Sequence, residues 1–306
     1  MTNLLFKHDL ISIKELDLAS LELIFSTAEK IKLNPVHAIL NDKIIAHCFF
    51  EASTRTRLSF ETAALKLGAK NIGFANAESL SLKKGESLQD TIRMMDEYAD
   101  LIIIRHPLEG AAAFAAIVAE HPVINAGDGA NQHPSQAIID LFSMRECQNK
   151  INGLAIALVG DLKYARTIHS LCQACSLFDI RLYLVAPELL ALPNDICDML
   201  KKRGVRFSYH HSLEEVISKI DILYMTRIQE ERFNSDPSLM HETFILTPSM
   251  LTYAKPNLKI LHPLPRIKEL PVEIDESAHA YYFQQAKNGV VVRQALLSLI
   301  LNESIL

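Results

Sequence analysis

The chain has 306 residues, with 31 Lys plus Arg against 36 Asp plus Glu and a formal net charge of −5. Its 49% hydrophobic and 22% charged residues, with 10 Gly and 12 Pro, form a globular composition that excludes a disordered tail, a collagen-like fibre and a disulfide scaffold. The slight acidity argues against nucleic acid as the main partner, because a phosphate backbone needs a basic face.

At about 150 residues per domain the length suggests two domains or one large α/β unit. The N-terminus, MTNLLFKHDL, has no basic stretch leading into an apolar run, so no signal peptide is expected. No apolar stretch approaches the ~18 residues of a membrane span. Five cysteines are too few for a disulfide framework and odd in number, which favours reduced thiols and a cytoplasmic setting.

In chain order, apolar runs predict strands over 44–50, 101–105, 122–125, 154–159, 180–185, 205–209, 222–225 and 259–261. Helical spacing falls between them. An amphipathic segment opens at 53–57 and ends at Gly68. Residues 87–98 place Leu88, Ile92, Met95 and Tyr98 on one face behind a Ser87-x-x-Asp90 capping pattern. Further helices are expected over 135–147, around the Cys172-x-x-Cys175 pair, over 193–203 before Gly204, and over 280–302, where Asn288-Gly289 is a candidate break. Strand–helix alternation predicts two doubly wound α/β domains, each a parallel sheet flanked by helices, with the C-terminal helix packing back on the first domain. The expected domains are 1–132 plus 287–306 and 133–286. With no second CxxC, Cys172 and Cys175 read as buried helix residues rather than zinc ligands.

The densest chemistry follows the first strand. Ser53-Thr54-Arg55-Thr56-Arg57 opens a helix, where backbone N–H groups and the helix dipole attract anions. Three hydroxyls and two guanidiniums in that turn suit a phosphate group, whose oxygens match arginine forks. There is no GxxxxGK[ST], so this is not a nucleotide P-loop. A dehydrogenase reading of LAIALVGD lacks a GxGxxG and is set aside.

The Ser-Thr-Arg-Thr-Arg run resembles the carbamoyl-phosphate motif of the aspartate/ornithine carbamoyltransferase family. Five more motifs follow in the family's order: Arg105-His106-Pro107, His133-Pro134-Ser135-Gln136, Arg166 after the strand at 154–159, Met225-Thr226-Arg227-Ile228-Gln229, and His262-Pro263-Leu264-Pro265-Arg266. Each lies just beyond a strand, where α/β sites are built. His-Pro-Leu-Pro-Arg resembles the aspartate branch, whereas the ornithine branch has His-Cys-Leu-Pro. Charge agrees, because a dicarboxylate calls for the forks of Arg166 and Arg227. The competing readings are transfer to another amine (ornithine, putrescine or N-acetylornithine) and a catalytically silent homologue.

The resemblance implies transfer of a carbamoyl group from carbamoyl phosphate to L-aspartate, with no metal, cofactor or covalent nucleophile. It assigns Ser53, Thr54, Arg55 and Thr56 to the phosphate, and Thr56, Arg105 and His133 to the carbonyl oxygen. Gln136 and the backbone carbonyls of Pro263 and Leu264 would accept from the carbamoyl amide, while Arg166, Arg227 and Gln229 would bind aspartate. Segment 78–86 resembles a loop that in relatives enters the neighbouring subunit's site. There Lys84 would touch both substrates and Ser81 the phosphate. The loop is one residue shorter here, which leaves Ser79 as the alternative to Ser81. Shared sites imply a homotrimer, and the likeness is compatible with regulatory chains completing a dodecamer. By the same resemblance, Glu51 and Arg232 would form an ion pair. His169, His210, His211 and His241 match no motif and read as surface or capping residues, and Met94, Met95 and Met144 read as core.

Overall fold

The structure, a computed structural model, describes residues 3–76, 85–227 and 244–304. The chain divides into two compact units, 1–138 with 288–306, and 139–287.

The first unit is built on β1 (Ile44–Phe49), β2 (Lys70–Phe74), β3 (Leu101–His106) and β4 (Val123–Asp128). They pair in the order β2-β1-β3-β4, every pair parallel. Its helices are α1 (Leu18–Leu33), α2 (Thr54–Lys66), α3 (Leu88–Asp96) and α4 (Ala111–Val118). Residues Leu101–Ile104 of β3 are wholly buried, as expected of a central parallel strand covered on both faces. Ala46, Cys48, Ile102, Ile104, Ala112 and Ala115 pack together there. The capping pattern forms as expected: Ser87 Oγ accepts from the Asp90 N–H at 3.1 Å and donates to Asp90 Oδ2 at 2.6 Å.

The second unit holds β5 (Ala155–Val159), β6 (Arg181–Val185), β7 (Arg206–His210), β8 (Ile222–Met225) and β9 (Lys259–Leu261), in the order β7-β6-β5-β8-β9 and again parallel. Helices α6 (Arg166–Cys175) and α7 (Asn194–Lys202) follow β5 and β6. The division between units falls within two further helices, α5 (Pro134–Gln148) and α8 (Tyr282–Leu301).

Three local expectations change. Helix α8 runs unbroken through Asn288-Gly289. Both residues are buried, and Lys32 Nζ of α1 donates to Asn288 Oδ1 at 3.2 Å, so packing overrides poor propensity. The α8 C-terminus is held in the first unit, where Lys7 N–H donates to Ile300 O at 3.0 Å. Tyr98 lies beyond the end of α3 and is exposed, as is Met94, while Met95 packs on the core and Met144 is buried. Strand β2 carries no apolar run because it is an edge strand, with Lys70 and Gly73 exposed, and is not among the expected strands.

Candidate active site

In a doubly wound sheet, ligands bind beyond the strand C-termini where the strand order reverses. In the first unit that point lies between β1 and β3. The chain leaves β1 and enters α2 at Ser53, which is extended (φ −155°, ψ 91°) and makes no side-chain capping bond. Its hydroxyl is therefore not consumed by the helix it precedes, whose first N–H groups lack intrahelical acceptors. Arg55 stands exposed on the first turn and Thr56 is buried beneath it. Arg57 turns along the helix to Glu61 at 2.7 Å, an i,i+4 pair. The five-residue run thus separates into residues 53–56, which open the helix with hydroxyls and the exposed Arg55, and Arg57, which is paired along the helix.

Arg105, the penultimate residue of β3, pairs with Phe49 of β1, and its carbonyl accepts from the Phe50 N–H at 2.8 Å. Its guanidinium is aimed by Ala126 O at 3.2 Å and Glu51 Oε2 at 3.1 Å. Glu51, expected to meet Arg232, is thus engaged by Arg105. Arg232 lies outside the described residues.

His133 is buried at the start of α5, after a turn built on Asp128. Asp128 Oδ1 accepts from Asn125 Nδ2 at 2.8 Å and the Gln132 N–H at 3.2 Å. Its Oδ2 accepts from the Gly110 N–H at 2.9 Å and Asn131 Nδ2 at 3.0 Å. One buried carboxylate therefore ties the segment that follows Arg105 to the turn that delivers His133 and Gln136. Asp128, in the turn Asp128-Gly129-Ala130-Asn131, belongs to none of the motifs named above. Its signal was the run of Asx and Gly residues.

The second unit repeats the logic at its own reversal, between β5 and β8. Val159 and Met225 face one another, and Thr226 donates to Val159 O through its N–H at 2.9 Å and its Oγ1 at 3.1 Å. Arg227 follows directly. Gly160 has φ +108°, and a Cβ there would lie 2.3 Å from Thr226 O, so only glycine fits this crossing. Asp161 Oδ1 then collects the N–H groups of Lys163 and Tyr164 at 3.1 and 2.8 Å, shaping the turn before Arg166 at the start of α6. Strand β9 lies beside β8 and delivers His262, Pro263 and Leu264 to the same edge. Leu264 adopts φ +58°, a left-handed conformation that costs a branched residue roughly 1–2 kcal/mol and commonly marks a functional position.

Ser79, Ser81, Lys84 and Gln229 lie outside the described residues, as does His241. His169 is not a surface residue. It is buried in α6 with Nε2 at 3.2 Å from Leu162 O. Cys172 and Cys175 are buried in the same helix, and burial pushes the Cys175 thiol up to about 12, which leaves it inert. Among the described residues no helix is long and apolar enough to cross a membrane.

The sequence profile described as "Aspartate/ornithine carbamoyltransferase, carbamoyl-P binding domain" matches residues 8–146, and "Aspartate/ornithine carbamoyltransferase, Asp/Orn binding domain" matches 152–300. The chain is 53% identical over 309 residues to the aspartate carbamoyltransferase catalytic subunit of Photobacterium profundum, covering all of both chains. It is 51% identical over 302 residues to that of Chromobacterium violaceum, covering 98% of this chain and the whole relative. Among solved structures, aspartate transcarbamoylase from Trypanosoma cruzi in complex with N-(phosphonacetyl)-L-aspartic acid superposes with a TM-score of 0.92 at 35% identity, covering 97% of each chain. The catalytic subunit of M. jannaschii aspartate transcarbamoylase superposes with 0.89 at 42% identity, covering 96% of this chain and 98% of that one.

Proposed function

Since the chain belongs to the aspartate/ornithine carbamoyltransferase family, we propose that its two cationic sheet edges serve one reaction: transfer of the carbamoyl group from carbamoyl phosphate to the α-amine of L-aspartate, giving N-carbamoyl-L-aspartate and phosphate. Relatives at 51% and 53% identity carry the aspartate name, and one solved neighbour holds carbamoyl phosphate with aspartate.

The neutral amine attacks the carbamoyl carbon, charge gathers on the carbonyl oxygen, and phosphate leaves. Catalysis then rests on positioning and on donors fixed before the reaction begins. Ser53, Thr54, Arg55 and Thr56 hold the phosphate at the α2 N-terminus. Thr56, Arg105 and His133 direct donors at the carbonyl oxygen, each such donor contributing about 3–4 kcal/mol. His133 acts as a hydrogen-bond donor rather than a general base. The leaving phosphate takes the amine proton. Gln136 and the carbonyls of Pro263 and Leu264 accept from the carbamoyl NH₂. Arg166, Arg227 and Gln229 bind the two carboxylates of aspartate. Lys84 and Ser81 enter from a neighbouring subunit, which makes the working unit a homotrimer. Association with regulatory chains, a cytoplasmic location and a place in pyrimidine biosynthesis complete the proposal.

The observation that carries this reading is the unspecialised cap at Ser53: a helix start bearing hydroxyls and Arg55 with no side-chain cap of its own, beside an Arg105 already aimed by Glu51 and Ala126. Steady-state assays with carbamoyl phosphate and a panel of aspartate, ornithine, putrescine and N-acetylornithine test it. Aspartate alone is expected to turn over efficiently, and efficient turnover of ornithine would overturn the assignment. Lys84→Ala and Arg105→Ala subunits, each inactive alone, are expected to regain partial activity when mixed and allowed to exchange. No recovery would refute the shared site.

A further inference from the structure

Leu264 is pinned by a chain of hydrogen bonds that the reaction scheme above leaves unused. Its N–H donates to His262 Nδ1 at 2.8 Å. Because Nδ1 accepts, the ring hydrogen sits on Nε2, which lies 3.0 Å from Glu269 Oε1. Glu269 is fixed in turn by the Ile267 N–H, at 3.1 and 3.2 Å to its two oxygens. Burial pushes its carboxyl up, but the bond from His262 and those from backbone N–H groups outweigh burial and hold it below the usual glutamate value. On the other side, the His262 N–H donates to Gln285 Oε1 at 2.8 Å, Gln285 Nε2 donates to Asp140 Oδ1 at 2.7 Å, and the Tyr224 hydroxyl donates to Asp140 Oδ2 at 2.7 Å. Asp140, Tyr224, Gln285 and His262 are all buried.

A network this deep needs every member satisfied, and an apolar cluster would fill the same volume without that demand. What the network adds is direction. It fixes the plane and tautomer of His262, and through Nδ1 it holds Leu264 in its left-handed conformation (φ +58°), which sets where the Leu264 carbonyl points.

We propose that His262, oriented by Glu269 and by the Gln285–Asp140–Tyr224 chain, is a positioning residue that aims the Pro263 and Leu264 carbonyls at the amide of the carbamoyl group. The inference rests on the proposed role of those carbonyls. It makes His262 the source of discrimination between a carbamoyl donor and an isosteric acyl phosphate that has no N–H to offer. A site built around acceptors rejects the analogue that leaves those acceptors unfilled.

The test compares the binding of carbamoyl phosphate and acetyl phosphate, in which a methyl group replaces the amide nitrogen, to the full-length enzyme. The parent protein is expected to prefer carbamoyl phosphate. His262→Gln keeps an amide donor for Glu269 but loses the acceptor for the Leu264 N–H. It is expected to lose about tenfold of that preference, the scale of one hydrogen bond, by weakening carbamoyl phosphate while leaving acetyl phosphate unchanged. His262→Asn, whose amide oxygen takes the place of Nδ1, is expected to restore most of the preference. A His262→Gln enzyme with the parental preference would overturn the positioning role and leave the carbonyls' role standing. A parent that does not distinguish the two ligands would overturn both. Glu269→Ala provides a second variant should His262→Gln fail to fold: it removes the acceptor that orients the ring, so loss of preference is expected and retention overturns the proposal.

Discussion

Asp128→Asn is the sharpest probe of how the first unit builds its site. The substitution preserves shape and burial but replaces one accepting oxygen by an NH₂ group. Whichever way the amide turns, it faces one of two donor pairs, either Asn125 Nδ2 with the Gln132 N–H or Asn131 Nδ2 with the Gly110 N–H. Two of the carboxylate's bonds are lost and become donor–donor contacts, buried on the Asn125–Gln132 side and part-buried on the Asn131–Gly110 side. At about 1.5–3 kcal/mol for each bond to a charged acceptor, the loss is roughly 3–6 kcal/mol. That is a large part of the 5–15 kcal/mol typical of a folded protein, and on the scale of a domain this size it corresponds to a Tm drop of roughly 6–24 °C. Calorimetry measures that drop, and carbamoyl phosphate titration measures its local consequence. Gly110 follows the Arg105 segment and Gln132 precedes His133, so affinity and kcat are expected to fall together. A variant whose Tm stays within about 2 °C of the parent, with unchanged kcat, would refute the idea that this carboxylate assembles the donors.

Arg55→Ala is expected to abolish carbamoyl phosphate binding while leaving the fold intact, because Arg55 is exposed on the first turn of α2. Unchanged affinity in a titration would count against the anion turn. Gly160→Ala forces a Cβ to 2.3 Å from Thr226 O at φ +108°, so destabilisation beyond the roughly 1–2 kcal/mol of a left-handed alanine is expected, with a raised KM for aspartate through the displaced Arg227. Chemical denaturation and aspartate saturation curves check both. His47 concerns pH. Burial lowers its pKa below 6.5, and the Asn71 bond only partly offsets this. The unfolded chain therefore binds the extra proton first, and stability falls as pH drops below about 6.5, by up to about 1.4 kcal/mol per pH unit until the folded value is reached. Denaturation midpoints of parent and His47→Gln measured between pH 5 and 8 (roughly the window of that titration) are expected to converge toward low pH, and parallel curves would refute the assignment.

The parallel α/β character was legible because buried central strands read as short, unbroken apolar runs, as Leu101–Ile104 and Ile222–Met225 do. Edge strand β2 was not, since its exposed Lys70 and Gly73 carry no apolar pattern. The motif residues were legible because they cluster just past strands. What holds them was hidden, because it depends on partners distant in sequence. Glu51 reaches Arg105 only once β1 and β3 are paired, and His262 meets Gln285 and, through it, Asp140 across more than a hundred residues. The same blindness explains His169, whose acceptor is a backbone carbonyl that no side-chain pattern announces.

Each cationic set is braced from within its own unit. Glu51, Ala126 and Asp128 brace Arg105 and the turn before His133, whereas Val159 braces Thr226 and so Arg227. Substitutions without shared partners tend to act additively. If the phosphate set belongs to the first unit alone, inorganic phosphate should bind Gly160→Ala as tightly as it binds the parent, while Arg55→Ala loses it. The double variant should then match Arg55→Ala in phosphate affinity and Gly160→Ala in unfolding free energy. A Gly160→Ala protein that binds phosphate as poorly as Arg55→Ala would show that the second unit helps to hold the leaving group, and the separation of roles argued from the two sheet reversals would fail.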